Sequence, residues 1–231
     1  MSAPPPPKGS TPTAVLAAFT GGFIDTVGFV GLFGLFTAHV TGNFVLIGAA
    51  IVNHHSGIIA KLLALPTFIV AVALTSLFLR HCRKADRPAV APLLIVQALL
   101  LAAFMVAGLT LAPFTSGDQP VAILTGLTGV LAMGVQNAAS RTVFTHLSPT
   151  TVMTGNVTQI VLDLVSLTER GPHVEEAQAR IRKMAPPVLA FAVGAIAGGV
   201  GFAVAGFWCV LAGIAAVLAM LPFNPANETK A

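Results

Sequence analysis

Charge is scarce in this chain. Asp, Glu, Lys and Arg make up 9% of the 231 residues, where an ordinary soluble domain carries about 25%. With 55% of residues hydrophobic and a mean hydropathy of +0.88, there is too little polar surface to solvate a globule. The composition is that of a polytopic membrane protein. Cysteine is nearly missing. Cys82, beside basic residues, and Cys209, in an apolar run, offer neither a disulfide framework nor metal-ligand spacing. Also missing are His-Glu-x-x-His, Gly-x-Ser-x-Gly and a helically spaced pair of carboxyls in the apolar runs. An intramembrane enzyme is therefore disfavoured, and the residues point to no catalytic group, no cofactor and no metal. His54 and His55 are adjacent, but no carboxylate stands near them to complete a metal site. The pI of 9.6 does not indicate nucleic acid, because the twelve Lys and Arg cluster at the ends of apolar runs, where they orient a protein in a bilayer.

Six apolar runs are long enough to cross: Thr13 to Val30, Ile58 to Leu79, Ala89 to Ala112, Val121 to Ser140, Pro187 to Ala203 and Ala205 to Leu221. Two stretches between them, Gly31 to Val52 and Thr142 to Leu167, are too polar or too interrupted to cross comfortably. If both dip in and return, Lys8, Arg80, Arg83, Lys84, Arg87, Arg141, Arg170, Arg180, Arg182, Lys183 and Lys230 share one face, and Lys61 alone falls outside. The positive-inside bias selects that arrangement, with both termini cytoplasmic and Lys61 snorkelling from the outer end of its helix. The expected fold is all-α: about six transmembrane helices and two re-entrant half-helices, arranged as a 3+3 inverted repeat. The organisation is a Pro-rich disordered tail over 1–12, a first repeat unit over 13–112, an outer loop over 113–120, a second unit over 121–222 and a cytoplasmic tail over 223–231. No cleavage signature follows the first apolar run, so it reads as retained. The loop from Thr168 to Pro187, with Glu176 and Arg180 spaced i, i+4, predicts a short amphipathic surface helix ended by Pro186-Pro187.

What is present, against this apolar background, is a recurring word. Thr41-Gly42-Asn43 reappears as Thr154-Gly155-Asn156, and each copy follows a Gly with an Asx three residues on, Gly22 with Asp25 and Gly134 with Asn137. The second copy has one extra residue between the Asx and the word. The helical runs after each Asn, to Val52 and to Leu167, rise only about 15–18 Å, half of a roughly 30 Å hydrocarbon core. Two half-helix N-termini would thus meet near the midplane from opposite sides.

Two roles are open for Thr41, Asn43, Thr154 and Asn156. They cap half-helices, with Gly42 and Gly155 permitting a tight turn, or, together with Gln159, they also bind a small polar or anionic solute at two donor-rich helix ends. Asp25 lies past the middle of a span, where a carboxyl is protonated, paired or facing water. It couples protons, or donates a structural hydrogen bond as its counterpart Asn137 could. His39 relays protons or bonds a carbonyl, and Val152 takes its place in the second unit. Asn156, Gln159 and Asp163 share one helix face. Arg141 pairs with Asp163 or anchors to headgroups, anchoring being favoured, and Gln136 and Asn137 support the site. Gly194, Gly198, Gly199 and Gly201 have small-xxx-small spacing, suited to close packing within the chain or to a homodimer.

Gly22-Phe-Ile-Asp25, Leu35-Phe-Thr-Ala-His-Val-Thr41-Gly42-Asn43, Gly134-Val-Gln136-Asn137-Ala138 and Thr150-Thr151-Val-Met-Thr154-Gly155-Asn156 resemble the YoaK-like family of bacterial membrane proteins. The resemblance implies a multi-pass protein of the bacterial inner membrane with six or so helices, and brings no established substrate. The expected function is a secondary transporter or channel for a small polar or anionic solute, with its site between the two Thr-Gly-Asn termini. The alternative is a non-catalytic membrane assembly or binding protein.

Overall fold

The computed structural model describes residues 10–151, 153–169, 171 and 173–223. The expectations on Lys8, Val152, Arg170, Lys230 and most of both tails lie outside the described residues. The described elements are α1 (Ser10–Gly31), α2 (Gly42–Asn53), α3 (Ile58–Lys84), α4 (Val90–Leu111), α5 (Pro120–Thr142), α6 (Thr154–Ser166), α7 (His173–Ala205) and α8 (Val210–Leu218), with short 3-10 turns at Gly206–Cys209 and Leu221–Phe223. All are helical, one of the two ways a chain can satisfy its backbone hydrogen bonds in lipid.

Four helices, α1, α3, α4 and α5, are by themselves long and apolar enough to cross a membrane, and the run from α7 onward supplies a fifth. The last expected span, Ala205 to Leu221, is built from two 3-10 turns around the nine-residue α8. It starts at Gly206, whose φ of 55° is the left-handed turn that a glycine permits. The proposed surface helix and the span after it are one element: α7 runs 33 residues through Pro186 and Pro187. Proline frees the carbonyl four residues back, here Arg182 and Lys183. Those residues lie at the polar end of the apolar run, where water or neighbouring donors can accept that cost.

Glycine decides the tightest crossing. A Cβ on Gly22 would collide with the Phe191 carbonyl oxygen, one on Gly194 with that of Phe19, and one on Gly198 with that of Phe23. The backbones of α1 and α7 therefore touch, the close approach that small residues allow where there is no hydrophobic drive between helices. Gly194 and Gly198 spend their small faces inside the chain, which removes them from any dimer interface. α5 packs on α3 in a related way, Gly134 against Ala71 and the Phe68 carbonyl. α4 packs on α5 and α8 on α1, while α2 lies along α3 and α6 along α7. Ile24, Val27, Leu101, Phe104, Val130, Met133, Val210 and Val217 fill the centre. Val45, Val52, Leu74, Leu77, Val161, Leu162, Ile196 and Val204 point outward, the apolar exterior expected of a protein whose solvent is lipid.

Candidate functional site

The loop between α1 and α2, residues 32–41, is folded back into the protein. Thr37 reaches the gap left by Gly28 on α1 and Gly129 on α5, and Leu35 the gap left by Gly126. There the loop meets Asp25. One carboxylate oxygen, Oδ1, accepts the backbone N–H groups of Thr37 at 2.8 Å, Ala38 at 2.7 Å and His39 at 3.4 Å, with the Thr37 hydroxyl also at 3.4 Å. The other oxygen, Oδ2, lies 2.7 Å from His39 Nδ1. Asp25 is 4% exposed, whereas 32% of the His39 side chain is exposed. Three successive N–H groups aimed at one point form an anion-binding nest, and the anion seated in it is the protein's own carboxylate.

Asn43 completes this loop. Its Oδ1 accepts the Phe36 N–H at 2.9 Å and its Nδ2 donates to the Phe36 carbonyl at 2.9 Å. The residue at a half-helix start thus staples the loop before it and does not cap the helix. At the N-terminus of α2 the cap position is Thr41, at that of α6 it is Met153, and neither makes a side-chain cap hydrogen bond. Thr41 and Thr154 are exposed. The capping expectation is corrected accordingly: the N–H groups of Gly42, Asn43 and Phe44 already donate to the carbonyls of His39, Val40 and Thr41, and the side chain of Asn43 serves the loop backbone instead.

The second loop, between α5 and α6, repeats two of these contacts with neutral groups. The Thr151 hydroxyl donates to Asn137 Oδ1 at 2.7 Å, fourteen residues apart like Asp25 and His39. Asn156 Nδ2 donates to the Pro149 carbonyl at 2.8 Å, seven residues apart like Asn43 and Phe36. The counterpart of His39 by contact is therefore Thr151. Asn137 also donates to the Met133 carbonyl at 3.0 Å. Gln136 donates to the Ala17 carbonyl at 2.8 Å and accepts from Gln97 at 2.7 Å, tying α1, α5 and α4 together.

The remaining expected residues fall elsewhere. Gly42 sits against the Phe36 ring, at 3.1 Å from a would-be Cβ, but Gly155 has nothing within 4 Å. Gln159 Nε2 donates to Asp163 Oδ1 at 3.0 Å. Asp163 is paired with Arg180, whose Nη2 reaches Oδ1 at 2.7 Å and whose Nε lies 3.1 Å from both oxygens. Its partner is not Arg141, which is exposed. This clamp fixes α6 to α7.

Lys61 is buried and donates to the Phe33 carbonyl at 2.8 Å and that of Gly57 at 3.2 Å. It braces the first loop and does not snorkel. Asp118, from the linker between α4 and α5, accepts the N–H groups of Gly57 and Ile59, both at 2.8 Å, and so caps α3. Gln97, Arg180, Lys61 and Asp118 were not assigned to the site from sequence. Gln97 carried a usable signal, being an amide alone in the apolar run from Ala89 to Ala112.

These features define a class: an all-helical polytopic membrane protein with two loops folded back onto polar side chains of its helices. The chain belongs to the family described as "Protein of unknown function (DUF1275)", whose model matches residues 13–222. It is 31% identical over 150 residues to the UPF0700 transmembrane protein YoaK of Bacillus subtilis (strain 168), an alignment that spans 64% of this chain and 64% of that protein's length. No solved structure matches. The chain is thus a bacterial-type multi-pass membrane protein in contact with the lipid bilayer.

Proposed function

We propose that this protein is a proton-coupled secondary transporter of a small anion, with Asp25 and His39 as the coupling pair and the Thr37–His39 nest as the solute site. The observation that carries the reading is the occupant of the nest. A carboxylate at membrane depth holds the donors that an anionic solute would need, and a half-exposed imidazole holds its other oxygen. A proton delivered through His39 to Asp25 turns an acceptor-only group into a donor and releases the three N–H groups to an incoming anion. The site then exchanges one negative charge for another, so a proton and a monovalent anion move together without exposing an unpaired charge to lipid.

The inverted repeat belongs to this proposal. Its support is the pairing of elements: exchanging α1 with α5, α2 with α6, α3 with α7 and α4 with α8 turns each principal contact into another that is present. In the proposal both termini are cytoplasmic, as the basic residues favour. Gln136, Asn137, Arg141, Gln159 and Asp163 act around the second loop, and Thr41, Gly42, Asn43, Thr154, Gly155 and Asn156 shape the two loop ends without converging on one cavity.

The test is purified full-length protein in liposomes with a trapped pH dye, challenged with inward gradients of small monocarboxylates, halides and phosphate. Anion-dependent internal acidification is expected for at least one of these, lost in Asp25→Asn while that variant still purifies as a folded monodisperse species. Anion uptake that leaves the pH unchanged, or an Asp25→Asn variant that acidifies like the wild type, would sink the proposal.

A further inference from the structure

An open groove of about 560 Å³ runs between α1, α7 and α8, a volume within the range of ligand clefts, about 300–1,000 Å³. Leu16 and Phe19 of α1, Leu189, Ala190 and Val193 of α7 and Ala216 of α8 line it, and none of its lining side chains is charged or forms hydrogen bonds. Leu189 is 67% exposed and Val193 58%, so the groove opens outward to lipid.

Its end on α7 is different. Pro186 also lines the groove, and Arg182 and Lys183 precede it by four and three residues on the same helix, the spacing that places side chains on one face. Helical side chains lean toward the N-terminus of their own helix, here away from the apolar run. Both basic residues are exposed, and neither makes an ion pair among the described residues. Glu176, the nearby acid on this helix, faces Arg180 instead. α1 brings further positive charge to the same end. Phe19 meets Gly194 and Phe23 meets Gly198, so α1 and α7 run parallel, and in that register the start of α1 at Ser10 falls level with Ala185. A helix N-terminus carries partial positive charge.

From Arg182 to Val193 the helix rises about 16 Å, close to half of a roughly 30 Å hydrocarbon core. An apolar channel one leaflet deep with a basic end matches a phospholipid of net negative charge, since basic pockets between membrane helices hold such headgroups. We infer that the groove seats an acyl chain of an anionic phospholipid whose phosphate is held by Arg182 and Lys183. A second copy of the chain fits this face less well. Two copies in one bilayer insert the same way, so a two-fold axis along the membrane normal would set the basic pair of one against the same pair of the other. The lipid site shares no residue with the Asp25 and His39 site, and stands whether or not the chain carries an anion.

Native mass spectrometry of the full-length protein, delipidated in a nonionic detergent, tests it, with dioleoylphosphatidylglycerol and dioleoylphosphatidylcholine added at equal concentration. The one-lipid complex should favour phosphatidylglycerol by about tenfold, and Arg182→Gln/Lys183→Gln should bring the ratio to within about twofold of unity. Ala190→Phe fills the groove without changing charge and should lower phosphatidylglycerol binding about fivefold. Arg83→Gln/Lys84→Gln, in the basic last turn of α3, should keep the wild-type ratio. Equal binding of the two lipids overturns the inference, as does a preference that survives in Arg182→Gln/Lys183→Gln or vanishes in Arg83→Gln/Lys84→Gln. A concentration-dependent wild-type dimer that Ala190→Phe dissociates would assign the groove to a second copy and overturn it too. Should Ala190→Phe not fold, the two charge variants, at exposed positions, decide alone.

Discussion

Asn43 and Asn156 occupy equivalent places in the repeated word, yet their removal should not cost the same. Asn43 satisfies two groups of one residue, the N–H and the carbonyl of Phe36. Asn156 satisfies only the carbonyl of its counterpart, because that residue is Pro149 and proline has no N–H. Orphaning a buried backbone group costs about 1–3 kcal/mol, and hydrogen bonds in membrane proteins fall toward the low end of such ranges. Asn43→Ala should therefore lose about 2 kcal/mol and Asn156→Ala about 1 kcal/mol. Reversible unfolding by SDS titration from mild detergent, followed by far-ultraviolet circular dichroism, measures both. Aspartate sharpens the comparison. At position 43 it still accepts the Phe36 N–H, although it sets a carboxylate against the Phe36 carbonyl; at position 156 it meets only an acceptor. Asn156→Asp should thus fall below Asn156→Ala, while Asn43→Asp stays at or above Asn43→Ala. Equal losses for the two alanine variants would refute the staple reasoning, since a capping role predicts no such difference.

Glycine substitutions should divide by the space around each. Gly155→Ala has open surroundings and should stabilise by up to about 1 kcal/mol through lower unfolded-state entropy. Gly194→Ala drives a methyl into the Phe19 carbonyl and should cost about 1–3 kcal/mol or prevent folding; the same SDS titration reads both. Arg180→Gln strands the Asp163 carboxylate, whose side chain is 2% exposed. Hydrogen exchange in α6 should speed up in that variant and be partly restored in Asp163→Asn/Arg180→Gln, whereas an additive double variant would exclude the clamp. Lys61→Met removes the donor to the Phe33 and Gly57 carbonyls and should lower stability by about 1–3 kcal/mol. An unchanged melting curve would show that Lys61 only snorkels.

The long apolar helices were legible, and Asp25, His39 and Asn43 stood out as candidates, because each reading rests on a local cost: polarity in lipid is expensive wherever it occurs. The partners were not legible, because they depend on which backbone is left unpaired after folding. Asn43 was read as capping its own helix or binding a solute, but its side chain closes on the N–H and carbonyl of Phe36 in the loop before it. Asp163 was weighed against Arg141 because four residues separate Asn137 from Arg141 on one helix; Arg180 approaches only because α7 continues through Pro186 and Pro187 and brings its basic turn alongside α6. A fainter signal went unused. Phe68-Ile-Val-Ala71 and Phe191-Ala-Val-Gly194 are the segments that receive Gly134 and Gly22. Their likeness is what the proposed repeat expects of two helices that hydropathy alone leaves featureless.

The two loops bear on how chemistry and structure are divided. Contacts fourteen and seven residues apart hold both loops, so the hydrogen-bonding scheme alone accounts for an Asx and an Asn in each. It does not account for a carboxylate in one and an amide in the other. Asn137 and Thr151 demonstrate that a neutral pair suffices to hold such a loop, and in lipid the neutral pair is the cheaper choice. The first loop instead sets an acid, an imidazole and three converging N–H groups together, at a site where only one side chain reaches the surface. A purely structural role would be served equally well by the second loop's solution, and the variant Asp25→Asn/His39→Thr puts that to the test. It should fold and remain as stable as the wild type, while losing proton-dependent anion uptake. A double variant that retains uptake would return Asp25 and His39 to the role of a structural latch.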